Sequence, residues 1–168
     1  MDVLPELTRT EYIRLLQAAK ALERERVYFL LKALCGIGIR VGELEQFTVE
    51  LLQKGSGVME SKGTKRLVVV PNAIKQEFGD YIRRNGIYSG PIFTTSGGRP
   101  VNRVNIFKEI KSVCETARME EKKVTHRCLW KLHRTTFHTI EKNISALVWM
   151  AYEQTLTEEQ MQAGWEIE

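Results

Sequence analysis

Ten residues constrain this chain more than any others: Cys35-Gly36-Ile37-Gly38-Ile39-Arg40-Val41-Gly42-Glu43-Leu44. Three of them, Gly36, Gly38 and Gly42, fall within seven positions. A glycine inside a helix costs about 1 kcal/mol against alanine. Clustered glycines therefore mark a turn or the close approach of another backbone. The apolar run that leads into this stretch has to stop there, and a new helix has to start near Val41. Two readings of its charged residues stand side by side. Arg40 is an anion-binding guanidinium, or Gly38 caps a helix and Arg40 forms a partly buried pair with Glu43.

Around this turn the pattern is mostly helical. Thr8-Arg9-Thr10-Glu11 is a capping box, and Tyr12, Leu15, Leu16 and Ala19 follow at helical spacing, which predicts a helix from Arg9 to Ala21. Arg24 to Gly36 is apolar on nearly all sides, so it reads as a central helix. A short helix is expected over Val41–Gln46, and Phe47-Thr48-Val49-Glu50 shifts to a period of two. Val58–Ser61 and Leu67–Val70 read as strands joined by the cationic tip Lys62-Gly63-Thr64-Lys65-Arg66. Asn72 is a candidate N-cap for a helix over Ala73–Asn85. Gly90-Pro91-Ile92-Phe93 reads as a third extended piece, and Ser96–Pro100 as a turn. Asn102 starts a helix with Val104, Phe107, Ile110, Val113 and Cys114 inward, and Arg127 to about Gln154 continues as two more helices. A last short helix begins at Thr157 and ends at Gly164. The expected fold class is α+β, mainly helical, with a small three-stranded antiparallel sheet.

Bulk properties narrow the function. The chain has 168 residues and is 43% hydrophobic, enough for one cored domain. Lys+Arg exceed Asp+Glu by 25 to 21, a net charge of +4 that permits a nucleic-acid partner. No apolar run has the ~20 residues of a membrane span, and Met1–Pro5 has no signal-peptide pattern. Cys35, Cys114 and Cys128 have no CxxC spacing and read as free buried thiols in a reducing compartment, which makes the expected location cytoplasmic. His126, His133 and His138 show no metal-type spacing to the cysteines, so no metal site is expected. His133 and His138 read as surface or core residues, and Trp130 and Trp149 as core aromatics.

Arg40, Lys62 and the segment His126–Arg134 are parts from which metal-free phosphodiester chemistry can be assembled. Arginine offers a planar fork to phosphate oxygens. Lysine can protonate a leaving alkoxide, and a helix N-terminus adds backbone donors. These features carry a resemblance. Leu7-Thr8-x-x-Glu11-Tyr12, Gly38-Ile39-Arg40-Val41-Gly42-Glu43-Leu44, and Lys62-Gly63-Thr64-Lys65-Arg66 with Val68-Val69-Val70-Pro71 resemble the catalytic domain of tyrosine recombinases, the phage-integrase family. Ile92-Phe93 and Gly97-Gly98-Arg99-Pro100 also fit, and the likeness covers roughly residues 7 to 140.

The resemblance implies the recombinase catalytic-domain fold over 1–168 as a single domain, without that family's N-terminal core-binding domain. It implies double-stranded DNA as partner, no cofactor, and attack by a tyrosine on a DNA phosphate. Arg40 matches the first arginine of the phosphate clamp and Lys62 the hairpin lysine. Arg127 falls on the first histidine position, Trp130 on the second arginine and Lys131 just after it. Arg127, Lys131 or Arg134 would take over a clamp role only if the helix rotated or the loop re-routed. Lys65, Arg66, Arg99, Arg103 and His126 are the expected DNA contacts. No tyrosine follows Tyr152, which leaves the nucleophile unassigned with Tyr152 a weak candidate. Trp165 and the C-terminal helix are candidates for docking on the body or on another protomer.

Three functions remain open at this stage. The first is a DNA-binding integrase-like domain with a degenerate site. The second is an active recombinase using Tyr152 or a tyrosine from another chain, and the third is a helical interaction domain with no DNA role.

Overall fold

Helix α1 spans Arg9–Ala21, as the capping box predicts. The Thr8 hydroxyl accepts from the Glu11 N–H at 3.1 Å, and the Glu11 carboxylate accepts from the Thr8 N–H at 3.1 Å. The structure, a computed structural model, describes residues 4–136. His138, Trp149, Tyr152, Trp165 and the helices expected after residue 136 lie outside the described residues.

Helix α2 covers Glu25–Leu31 and widens into a π-helical turn over Lys32–Ile37. Every residue from Val27 to Leu31 and from Ala33 to Ile37 is buried, so this is the central helix its composition predicts. The Gly38 and Ile39 N–H groups both donate to the Ala33 carbonyl, at 3.1 and 3.0 Å. Gly38 closes the turn at φ +85°, a left-handed position that suits glycine. Widened turns of this kind recur at functional sites, and this one delivers the chain directly to Arg40. A 3₁₀ helix follows over Val41–Gln46.

The period-two reading of Phe47–Glu50 does not hold beyond Thr48. Thr48 caps α3 (Val49–Lys54), its hydroxyl accepting from the Leu51 N–H at 3.1 Å. The hairpin forms and is longer than expected. Strand β1 is Ser56–Ser61 and β2 is Thr64–Val69, antiparallel from Ser56↔Val69 to Ser61↔Thr64. Its tip is therefore two residues, Lys62 and Gly63, at φ +51° and +77°. Two positive φ values are what the twist of a two-residue hairpin turn demands. Along the strands the pleat turns Met59 and Val68 into the core and leaves Val58 and Leu67 exposed.

The expected third strand does not join this sheet, and the sheet of the described residues is two-stranded. Residues 90–92 bond instead to the segment before α3. Ile92 N–H donates to Phe47 O at 3.0 Å and Val49 N–H to Gly90 O at 2.9 Å. Helix α4 spans Asn72–Arg84, so Pro71, not Asn72, occupies the cap position.

Helix α5 runs over Arg103–Lys111, capped by the Asn102 side chain accepting from Val104 N–H at 2.7 Å. Its inward residues are Ile106 and Ile110, while Val104, expected inward, is exposed. A short α6 (Cys114–Ala117) and a 3₁₀ turn (Glu121–Lys123) lead to helix α7, described over residues 126–136. The three cysteines are free and buried, as expected. No helix among the described residues is long and apolar enough to cross a membrane.

An aromatic cluster holds these elements in register. The Phe29 ring stacks on Tyr81 with centroids 4.4 Å apart and meets Phe78 edge-on at 4.8 Å. Phe78 in turn meets Phe47 at 5.2 Å and Phe93 at 6.1 Å. Edge-to-face pairs add about 0.5–1.5 kcal/mol each beyond the area they bury. The cluster pins α2 to α4 and to the 47–49/90–93 pairing, and so fixes the base from which the π turn projects. Replacing Phe78 with Ala should cost about 3–5 kcal/mol in urea unfolding. Val104→Ser on exposed α5 should change stability by no more than about 0.5 kcal/mol in the same experiment.

Candidate nucleic-acid interface

Glu43 is the buried hub of the site, with 1% of its side chain exposed. It does not pair with the Arg40 guanidinium. Its Oε1 accepts from the Arg40 backbone N–H at 2.9 Å, and its carboxylate forms the ion pair with Arg66 of β2. Arg66 Nε lies 3.3 Å from Glu43 Oε2, and Arg66 Nη2 donates to the Gly38 carbonyl at 2.7 Å as well as to Glu43 Oε1. The hairpin is thereby bolted to the glycine turn. A buried carboxylate needs a partner of opposite charge and saturated hydrogen bonds, and Arg66 supplies both. Arg66, expected as a DNA contact on the tip, is thus turned inward and neutralised.

This leaves the Arg40 guanidinium without a carboxylate partner among the described residues. It lies over the Trp130 ring, its Cζ 4.7 Å from the centroid, and Arg66 approaches the same ring at 4.9 Å. Trp130 is therefore only partly a core residue, since two guanidinium groups converge on its indole. An aromatic face attracts a guanidinium without cancelling its charge. Arg40 keeps its N–H donors for an anion.

Trp130 is placed by α7, and the period of that helix sorts the remaining candidates. His126 and His133 lie one turn to either side on the same face. His126 is half-buried; burial pushes its pKa down, and the nearby charges of Arg103 and Arg40 push it the same way. Arg40, Arg103 and His126 thus share one electropositive neighbourhood. Arg127 and Lys131 face elsewhere. Arg127 donates to the Pro5 carbonyl at 3.3 Å, and Lys131 pairs with Glu6. These contacts do not bring either residue to Arg40. Lys62 and Lys65 are exposed at the hairpin tip, and Arg99 is exposed in its turn. No described contact joins these three to Arg40. Arg103 also covers the Phe107 ring at 5.9 Å.

His133 closes the glycine turn from above. Its Nδ1 lies 2.7 Å from the Cys35 carbonyl, and its ring stacks on Trp130 with centroids 5.7 Å apart. Burial pushes its pKa down to about 4, against the opposing pull of the Cys35 carbonyl. At neutral pH the ring is uncharged, and Nδ1 carries the proton donated to Cys35. A Cβ at position 38 would overlap this ring. No local spacing in the sequence reveals this contact, because Gly38 and His133 lie far apart in the chain.

No protein-family model matches the sequence, and no curated protein matches it. The assembled elements define an α+β, mainly helical fold of the recombinase catalytic-domain type. Among solved structures, the crystal structure of XerA recombinase is similar, with a TM-score of 0.66 and 23% identity. The match covers 83% of this chain and 52% of that one, so the chain spans about half the length of that structure. At this identity the likeness concerns the fold.

Gly38→Ala should destabilise the protein by about 2–5 kcal/mol, combining left-handed backbone strain with the clash on His133. Gly38→Ala with His133→Ala should recover part of that loss in urea unfolding. A pH effect follows from His133. Its folded pKa lies below the ordinary 6.5, so the unfolded chain binds the proton more readily. The stability from the neutral ring is fully present above about pH 6.5 and is lost as the pH falls toward 4. The loss should be roughly 1–3 kcal/mol, and His133→Gln should flatten this part of the stability–pH curve.

Proposed function

We propose that this chain is a DNA-binding domain of the tyrosine-recombinase type, serving DNA integration and recombination, with weak or no strand-transfer activity of its own. The observation that carries the reading is the Arg40 guanidinium, held over Trp130 with no carboxylate to neutralise it. Beside it, Arg103 adds positive charge, and His126 offers an imidazole whose pKa burial and the Arg103 and Arg40 charges push down. The likeness in fold to XerA recombinase supports the same reading. In this account Arg40 contacts a backbone phosphate, and Arg103 and His126 contact the same or the adjacent one. Lys62 and Lys65 on the exposed tip, and Arg99, follow the duplex. Residues 1–168 act as one domain that recognises double-stranded DNA.

The reduced activity follows from Trp130. It stands where the resemblance places the second clamping arginine, and an indole cannot bind a phosphate oxygen as a guanidinium does. Arg66 approaches that ring but is tied to Glu43. Loss of one member of a catalytic unit removes most of the unit's effect. Should the domain cleave DNA, the reaction is a phosphodiester transesterification, with Tyr152 or a tyrosine from another chain as the nucleophile.

Fluorescence anisotropy with duplex DNA over a range of salt concentrations tests the binding. Affinity should fall steeply with salt. Arg40→Ala with Arg103→Ala should weaken binding about tenfold and reduce the salt slope by about two phosphate contacts. Absence of binding at low salt, or an unchanged slope, contradicts the reading. A nicked suicide substrate should yield no covalent adduct. An adduct lost in Tyr152→Phe would instead establish an active recombinase.

A further inference from the structure

A cavity of about 300 Å³ opens between β2 and α7, with Trp130 in its wall. Trp130, His133 and Arg134 line it from α7, Arg66 and Val69 from β2, and Ile37 from the π turn. Arg40, although stacked on the same indole, is not part of the lining. The walls combine aliphatic side chains with two rings stacked at an interplanar angle of 27°.

Charge is distributed unevenly around this cavity. Arg66 is compensated by buried Glu43, and His133 is neutral at neutral pH, so the interior carries no net charge. Polar edges remain inside. Arg66 uses Nε and Nη2 for Glu43 and Gly38, which leaves Nη1 as a donor. Cations without a carboxylate partner among the described residues stand close by, exposed Arg134 in the lining and Arg40 over the Trp130 ring. The complementary ligand is therefore a flat, uncharged group with hydrogen-bond acceptors, carried next to an anion. A nucleotide has this form, with the base inside and its phosphate at the rim. The volume is at the lower end for small-molecule pockets and is large enough for one base.

We infer that this cavity receives a single unpaired nucleobase of a DNA duplex while the adjoining phosphate lies against Arg40. The inference rests on the DNA-binding reading above and deepens it. A base held out of the stack is recognised by aromatic and aliphatic walls together with hydrogen bonds to its edge. Extruding a paired base has a cost that a bulged or mismatched base does not incur. The domain therefore favours DNA that already contains an unpaired base.

The test compares two short duplexes of identical sequence with the full 168-residue chain. One is fully paired, and the other carries a single bulged 2-aminopurine. The bulged duplex should bind about tenfold more tightly, and its 2-aminopurine fluorescence should be quenched by stacking. Leu67 lines the cavity from an exposed position on β2. Leu67→Trp fills the space without disturbing the core, and should bring the bulged duplex down to the affinity of the paired one. Trp130→Ala should do the same and also abolish the quenching. Equal affinity for the two duplexes, or a preference that persists in both variants, overturns the cavity inference and leaves DNA binding standing. Failure to bind either duplex at low salt overturns both.

Discussion

The site depends on one buried carboxylate. Glu43, at 1% exposure, accepts from the Arg40 backbone N–H and from the Arg66 guanidinium, and Arg66 reaches on to the Gly38 carbonyl. Through these bonds a single residue joins the glycine turn, the 3₁₀ helix and the hairpin. Removing one partner of such a pair leaves an uncompensated buried charge, which typically costs about 3–5 kcal/mol. The consequence for function is indirect. Because Arg66 satisfies Glu43, Arg40 is not needed for that purpose, and its guanidinium stays available to a ligand.

Trp130 completes this division of labour. A carboxylate in its place would orient Arg40 but neutralise it, and an aliphatic residue would neither orient nor attract it. An indole face holds a guanidinium at modest gain, about 0.5–2 kcal/mol, and leaves the charge intact. The same ring also lines the cavity beside β2. The fold that carries it is of the recombinase catalytic-domain type.

Much of the scaffold could be read from the sequence because its signals are local. The Thr8–Glu11 box sets the start of α1, and apolar residues on every side of Val27–Ile37 mark the central helix. The glycine cluster marks the turn. Gly38 caps a helix there, Arg40 is half-buried over Trp130, and Glu43 pairs not with the Arg40 guanidinium but with a residue 23 positions away. Such long-range pairing leaves no periodic trace. The third strand failed for a similar reason, since residues 90–92 found hydrogen-bonding partners at 47–49 instead of at the hairpin. Hydrophobicity alone places Val104 inward, yet the cap at Asn102 sets the phase of α5 so that Ile106 and Ile110 face the core. Trp130 reads as a core aromatic in the sequence, because composition alone does not show that two arginines converge on it.

The central claim is that Arg40, and not Arg66, presents its guanidinium to phosphate. Nitrogen-15 NMR of the arginine Nε–H groups during titration with a short DNA duplex tests it most directly, with each resonance assigned by substitution. The account predicts that the Arg40 Nε–H and the Trp130 indole N–H shift on binding, while the Arg66 Nε–H, held by Glu43, stays in place. A shift of Arg66 with Arg40 unmoved would contradict it.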